Sequence, residues 1–333
     1  MTPRVTVFAP NPLLGITIEG RGERDDVHLH PAGQGVWLTR MAAELGANPV
    51  LCGFRGGETG ALLEPLLDRL PGELRLVATA SATGCYVIDR RSGERRLVAQ
   101  MLSEPVSRHE LDDLFATTVT NALGSRVLAI CNPFPADTVP LDVYGRLVAD
   151  VRAGGVPVLV DLSSPRLESA LEGRPELVKL NDWELAEFVC GPVSDLRDLR
   201  AAAERVRDGG AGTVVVTRGG EPAFVLDGDG ASELVPPRFE HGTREGCGDS
   251  MMGGVAAALA CGQDLQVALR QGAAAGAVNF LRHGLGTGSR ASVEELIGKV
   301  RLDPLPDGRT QNGGSTPPPE TTARGPSREI QPR

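Results

Sequence analysis

The chain has 333 residues, 41% hydrophobic and 4% aromatic, with 34 Lys and Arg against 43 Asp and Glu for a formal charge of −9. That acidic balance excludes a general nucleic-acid binder, whose affinity rests on neutralising phosphates, and no stretch approaches the ~20 apolar residues of a membrane-spanning helix. Residues 1–9 lack the apolar core and cleavage site of a signal peptide, and six cysteines without C-x-x-C or zinc-finger spacing read as thiols of a reducing cytoplasm.

In chain order, a short apolar run at 5–9 predicts a first strand. Residues 16–30 alternate apolar and polar in a way that does not fit a buried central sheet. His28 and His30 lie in this stretch, and a surface or sheet role is expected for them rather than metal binding. Trp37, Leu38, Met41, Ala42 and Leu45 repeat at helical spacing, with Gly46 as a stop signal. Residues 85–100 read as a hairpin with its turn at Arg91-Ser-Gly93. An apolar run at 127–130, a helix at 144–152 ending at Gly154-Gly155, and a strand at 156–160 follow. A helix at 196–207 before Gly209-Gly210 leads to strands at 213–217 and 223–226. Strand–helix–strand alternation predicts an α/β fold, a parallel sheet with helices on both faces. The two off-rhythm segments, within about 14–30 and 84–101, are expected to form a small secondary sheet. The segment 303–333 is proline-rich, with seven prolines from 304 onward and almost no large apolar residues. It is predicted to be a disordered tail after a domain spanning 1–302.

The most informative window is Gly242-Thr-Arg-Glu-Gly-Cys-Gly-Asp-Ser-Met-Met-Gly-Gly. Gly246 and Gly248 allow a tight backbone turn, and a small-residue helix begins at about Asp249. Amides at such a helix start form an anion site. A carboxylate there repels a phosphate, but it suits a base that takes a proton from an attacking hydroxyl. The alternative is a glycine turn with Asp249 as an ordinary helix cap. Residues alone leave both open.

This window resembles the G-A-G-D signature of the ribokinase/PfkB carbohydrate kinases, and the resemblance runs over roughly residues 4–302. Ala32-Gly-Gln-Gly-Val-Trp37 is similar to the family's G-G-K-G-x-N helix start. The segment 53–60 resembles a loop of the 1-phosphofructokinase branch. Asn181-Asp-Trp-Glu184 matches an N-x-x-E element, Thr217-Arg-Gly-Gly220 a loop beneath the nucleotide, and 272–279 a late helix beside the adenine. The resemblance implies a ribokinase-like parallel-sheet core with a small β lid, and phosphoryl transfer from ATP to a sugar or sugar-phosphate hydroxyl with Mg2+. It makes Asp249 the general base and the amides of Gly246, Cys247 and Gly248 the anion hole. Asn181 and Glu184 act on magnesium, largely through water. Thr217, Gly219, Gly220 and Asn279 line the nucleotide, with Asn181 beside them, and Gly33, Gln34 and Gly35 meet the substrate. A homodimer through the lid is implied as well.

On the sugar side the chain departs from the pattern. The family's early aspartate falls on Gly15, the G-G-K-G lysine on Gln34 and the helix asparagine on Trp37. The lid arginine falls near Gly84, Cys131-Asn-Pro133 replaces an S-G-S loop, and Thr243-Arg244 stands where Asp-Thr is common. A sugar phosphate needs cationic or multiple amide donors, so fructose 1-phosphate is not expected to be the best acceptor. Arg55, Arg90, Arg95 and Arg244 are candidates to replace the missing contacts; each is otherwise a solvated surface charge. The expected activity is an ATP-dependent carbohydrate kinase with an altered sugar pocket. The alternatives are a true 1-phosphofructokinase with substituted contacts and a non-catalytic nucleotide- or sugar-binding regulator. The turn after residues 5–8, Ala-Pro-Asn-Pro, excludes a dinucleotide fingerprint, and the chain carries no Walker lysine motif.

Overall fold

A computed structural model describes residues 3–306. The chain begins with β1 (Arg4–Phe8), the hairpin β2 (Leu13–Arg21) and β3 (Arg24–Ala32), α1 (Gln34–Glu44), β4 (Asn48–Arg55), α2 (Gly57–Leu67) and β5 (Glu73–Ala78). A second hairpin, β6 (Cys85–Asp89) and β7 (Arg96–Met101), precedes α3 (Arg108–Leu123), β8 (Val127–Cys131), α4 (Asp142–Ala153) and β9 (Val158–Asp161). Then come α5 (Arg166–Glu172), β10 (Leu177–Asn181), α6 (Asp182–Phe188), α7 (Leu196–Asp208) and β11 (Thr213–Arg218). The chain continues through β12 (Glu221–Leu226), β13 (Ala231–Val235), α8 (Cys247–Ala260), α9 (Leu265–Phe280), α10 (Arg290–Ile297) and β14 (Arg301–Pro304).

Among the described residues, one ten-stranded sheet has the order β14-β13-β12-β11-β10-β9-β8-β1-β4-β5. Strands β11 to β5 in that order pair in parallel, and β12, β13 and β14 add an antiparallel edge. Successive residues of the parallel strands face opposite layers, as a strand period of two requires. Val5 and Val7 join the core under α1, α8 and α9, while Phe8 joins the core under α4, α5 and α7. Val127 and Ala129 of β8 divide from Leu128 and Ile130 in the same way.

The off-rhythm segments form a separate four-stranded sheet of order β3-β2-β6-β7, the lid. Its central pair, β2 and β6, is parallel, and each hairpin is antiparallel. At the other end of the chain the predicted domain boundary needs correcting. Strand β14 pairs with β13 through Pro304, and the Leu305 amide donates to the Ala231 carbonyl at 2.8 Å. Residues 303–306 therefore belong to the folded domain. The rest of the predicted tail, 307–333, lies outside the described residues.

Small residues bring α8 to its neighbours. A Cβ on Gly254 would lie 2.9 Å from Gly272 Cα in α9, and one on Gly253 would lie 2.7 Å from the Leu38 carbonyl in α1. Both are closer than real Cβ contacts allow, so α8 lies backbone to backbone between two helices. That fixes its N-terminus over the carboxyl ends of the parallel strands, where open α/β sheets bind ligands.

Candidate active site

Carboxyl ends of adjacent parallel strands supply the site's polar groups: Asn132 follows β8, Asp161 ends β9, Asn181 ends β10, and Thr217 lies near the end of β11. Above them α8 starts from Gly246, whose φ of 72° is the left-handed conformation that favours glycine. The first amide to complete a helical turn is Ser250 N, donating to Gly246 O at 2.9 Å. The Cys247 amide donates to Arg244 O at 3.3 Å, so among the three expected anion-hole amides it is the one already engaged. Its half-buried thiol is pushed up in pKa, chiefly by desolvation, and donates to the Thr243 carbonyl at 3.4 Å.

Asp249 is 8% exposed and sits in the first turn of α8. Burial pushes its carboxyl up to about 7, the charges of Asp161 and Glu184 add to the rise, and Lys179 opposes it. Beneath the turn, Lys179 Nζ donates to Asp161 Oδ2 at 2.9 Å, with the two side chains 7% and 3% exposed. Burial works against the lysine's charge, but the carboxylates of Asp161, Asp249 and Glu184 outweigh it and hold Lys179 protonated. The ammonium packs directly under the helix start, because a Cβ on Gly248 would lie 2.8 Å from Lys179 Nζ. The glycine thus lets a buried cation approach the backbone turn at the start of α8.

Asn181 and Glu184 come together in a reciprocal cap of α6. Asn181 Oδ1 accepts from the Glu184 amide at 2.9 Å, and Glu184 Oε2 accepts from the Asn181 amide at 2.8 Å. Glu184 is buried, and that burial followed by the Asp161 charge raises its pKa. The N-x-x-E element therefore has a structural role whatever else it does. Thr217 lies near the end of β11, and Gly219 and Gly220 form the exposed turn into β12. Arg244 lies across that turn, its guanidinium 3.2 Å from where a Gly219 Cβ would stand. This puts Arg244 against the β11–β12 turn.

Asn279 differs from expectation. It is 0% exposed, donates from Nδ2 to the Glu245 carbonyl at 2.8 Å, and accepts the Gly286 amide at 2.8 Å on Oδ1. With both ends of its amide engaged, it ties the loop before α8 to the loop after α9 and does not line a nucleotide. On the sugar side, Gly33 caps α1 with φ 106°, and Gln34 Oε1 accepts the Asn132 amide at 2.9 Å. Gly35 packs on β1, where a Cβ would lie 2.1 Å from that of Ala9, so it is a contact glycine rather than a ligand group. Asn132 Oδ1 also accepts from Ser163 N and Arg166 Nε, both at 3.2 Å, which braces the loop after β8. Arg55 pairs with Glu64 of α2 at 3.2 Å.

Sequence reasoning passed over the Lys179–Asp161 pair. A signal was present, because only two of the chain's 34 basic residues are lysines and Lys179 stands between Val178 and Leu180 in an apolar strand. A lysine kept there in an arginine-rich chain marks a buried partner.

A buried carboxyl with a raised pKa, beside a helix start and a buried ammonium, has the chemistry that proton removal from a hydroxyl calls for. With the doubly covered parallel sheet and its lid, this defines a small-molecule kinase. The sequence model of the family described as "pfkB family carbohydrate kinase" matches residues 15–291, and the chain belongs to that family. It is 28% identical over 284 residues to a 1-phosphofructokinase of Rhodobacter capsulatus, covering 80% of this chain and 86% of that enzyme. It is 32% identical over 262 residues to the ATP-dependent 6-phosphofructokinase isozyme 2 of Escherichia coli, covering 76% of this chain and 82% of the relative. The solved tetrameric inhibited form of phosphofructokinase-2 from Escherichia coli superposes with a TM-score of 0.79 at 27% identity, covering 90% of this chain and 99% of that one.

Proposed function

We propose that this chain transfers the γ-phosphoryl group of ATP to a hydroxyl of a sugar or sugar phosphate, with Asp249 as the general base. The observation that carries the reading is the buried Asp249 carboxyl, tuned to about 7 at the start of α8. Asp249 takes the proton from the acceptor oxygen as that oxygen attacks phosphorus and the bond to the ADP leaving group breaks. The Gly246 and Gly248 amides donate to the transferring phosphoryl group, and Lys179 beneath them adds positive potential. Thr217, Gly219 and Gly220 bound the nucleotide, and Arg244 reaches its phosphates from the side.

Magnesium fits the donor set. Asp161 Oδ1 is buried without a hydrogen-bond partner, Glu184 is a buried carboxylate, and hard oxygen donors suit that ion. No group of three or more His, Cys, Asp or Glu able to hold a metal occurs among the described residues, so Glu184 and Asn181 would hold the ion through water and the nucleotide phosphates. Bound there, magnesium neutralises developing phosphate charge.

The test is ATP consumption against free sugars, sugar phosphates and nucleosides. One acceptor should raise turnover well above background. Background consumption with every acceptor, while ATP binds, would make the chain a regulator instead. The 1-phosphofructokinase relatives favour a second reading, fructose 1-phosphate as acceptor, which predicts the highest kcat/KM for that sugar.

The lid supports a homodimer. Val27 and Leu29 on β3 and Leu97 and Val98 on β7 are exposed apolar side chains on its outer strands. Sedimentation velocity should give a dimer that Leu97→Glu dissociates; a monomeric wild type sinks the idea. No helix among the described residues is long and apolar enough to cross a membrane, and all six cysteines are free thiols, which supports the cytoplasmic setting.

A further inference from the structure

The turn of the lid's second hairpin carries four arginines, Arg90, Arg91, Arg95 and Arg96, and the structure uses them in two ways. Arg91 and Arg96 stay within the lid. Arg91 donates to Asp89 from Nε at 3.0 Å and from Nη2 at 2.9 Å, and Arg96 donates to the same carboxylate at 3.0 Å. Hydrogen bonds from the Arg91 side chain and backbone, then from Arg96, hold the Asp89 carboxyl well below the usual carboxylate range. Arg91 Nη1 also reaches Asp25 of β3 at 3.1 Å, and the Arg90 amide donates to the Ile18 carbonyl of β2 at 2.8 Å. The hairpin turn is thereby braced against the other lid strands.

Arg90 and Arg95 reach out of the lid to a single carboxylate. Arg90 Nη2 and Arg95 Nε meet Glu245 Oε2 and Oε1 at 3.1 and 2.8 Å. The sequence offers both arginines as replacements for missing sugar contacts, whereas the structure pairs them with the protein itself. Glu245 stands one residue before Gly246, and its carbonyl accepts from Nδ2 of the fully buried Asn279 at 2.8 Å. Its carboxylate therefore projects from main chain that a buried bond holds in place. The alternation that puts Tyr86 and Ile88 on one side of β6 continues to Arg90. All three, with Arg95, border a cavity of about 300 Å³ between the lid and α1. The Glu245 carboxylate thus sets where one wall of that cavity stands relative to the start of α8.

We propose that Glu245 is a positioning residue that tethers the lid to the loop before α8, holding the Arg90–Arg95 edge over the cavity in which the acceptor is phosphorylated. A carboxylate that gives one oxygen to each of two guanidiniums fixes direction as well as distance. The tether consists of protein groups alone, so it orders the lid before an acceptor enters. Without it the acceptor has to order the lid on binding, and that cost is subtracted from its affinity. The Asn279 bonds hold the turn independently of the lid, so losing the tether weakens the acceptor and leaves the nucleotide alone. The word acceptor rests on the kinase reading above; the tether does not.

The experiment is hydrogen–deuterium exchange on the full chain without ligand, with steady-state kinetics in parallel. Glu245→Gln should speed exchange across 85–101 by roughly three- to thirty-fold, the range that two partly exposed ion pairs supply, and leave 247–260 unchanged. Glu245→Asp should fall between the wild type and Glu245→Gln. Adding Arg95→Gln to Glu245→Gln should change nothing further, because the pair is already broken. High salt should speed lid exchange in the wild type more than in Glu245→Gln. Glu294→Gln, which removes an exposed pair with Arg290 on α10, should leave the lid as it was. The KM of the fastest acceptor in the sugar and nucleoside panel should rise in Glu245→Gln, with the affinity for a non-hydrolysable ATP analogue unchanged. Unchanged lid exchange in a folded Glu245→Gln protein, or equal loosening of 247–260, would overturn the tether. Faster lid exchange with an unchanged acceptor KM overturns the positioning role and keeps the kinase. Faster lid exchange with no turnover on any acceptor supports the tether and overturns the kinase.

Discussion

Replacing Asp249 by Asn separates the catalytic from the capping reading and gives a result in stability as well as rate. The wild-type carboxyl is pushed up to about 7 from the ordinary aspartate value of 3.8, burial being the main cause. An acid whose folded pKa is raised stabilises the fold most when protonated. Its destabilising effect is absent below about pH 4, grows as pH rises, and is complete above about pH 7. At 1.36 kcal/mol for each pKa unit, the ionised group costs the folded state on the order of 4 kcal/mol at pH 8, an upper figure for a buried group among interacting charges. An asparagine, uncharged and of the same shape, removes most of that cost. With roughly 2 °C per kcal/mol for a domain of this size, Tm at pH 8 should rise by roughly 4–8 °C, and the gain should vanish near pH 4.

Turnover should move the other way. Loss of a general base typically costs about 10²–10⁴ in rate, so Asp249→Asn should bind ATP normally and turn over at least roughly 100-fold more slowly. Wild-type kcat/KM should itself fall about tenfold per pH unit below 7, as the base becomes protonated. The checks are a coupled ADP assay across pH 5–9 and melting curves at pH 4 and 8. Near-normal turnover together with a lowered Tm at pH 8 would refute the reasoning and leave Asp249 as a structural cap.

Lys179→Met leaves Asp161 buried and unpaired, so chemical denaturation should show a loss of about 3–5 kcal/mol. Removing the opposing charge should also move the acidic limb of the pH–rate profile upward; Lys179→Met with Asp161→Leu should regain most of the stability. Glu184→Gln retains a side chain able to complete the α6 cap, so Tm should change by less than about 2 °C. The magnesium concentration for half-maximal rate should rise several-fold, and an unchanged magnesium requirement argues that Glu184 only caps. Glu245→Gln should raise the acceptor KM while leaving ATP affinity alone, read by steady-state kinetics and nucleotide titration. A chain ending at Pro306 should melt with the full-length protein, and one ending at Lys299 should melt lower, because it lacks β14 and the buried contact of Val300.

The parallel core was legible because its signals are local. Runs such as Val127 to Ile130 and glycine stops such as Gly154-Gly155 mark elements without reference to the rest of the chain. The antiparallel edge was less legible. Strand β14 needs only Leu302 half-buried toward the core and is otherwise backbone pairing, which leaves no pattern in Arg301-Leu-Asp-Pro304. The Lys179–Asp161 pair is a consequence of register. Strands β9 and β10 pair Val160 with Val178, and the next step along both strands brings Asp161 beside Lys179, 18 residues away. Asn279 was misread for a related reason. Its amide bridges loops at 245 and 286 that only the fold brings together, whereas the motif around Asp249 is contiguous.

Arg244, Glu245 and Gly246 join parts of the site that are otherwise separate. The Arg244 side chain lies on the β11–β12 turn at Gly219, the Glu245 carboxylate holds two lid arginines, and the Glu245 carbonyl is bound by Asn279. Gly246 then turns the backbone into the helix that carries Asp249. The strengths of these links differ. The Asn279 bonds are buried, and breaking one leaves an unsatisfied buried group at a cost of about 1–3 kcal/mol. The lid pairs are more open, with Arg90, Glu245 and Arg95 side chains 22%, 33% and 43% exposed, so each is worth about 0–1 kcal/mol. Breaking these two lid pairs therefore costs less than breaking the bonds that hold the turn beneath them. Loss of the lid pairs leaves the turn at Gly246 and the Asp249 carboxyl in place, because α8, the Asn279 bonds and the buried Lys179 hold them.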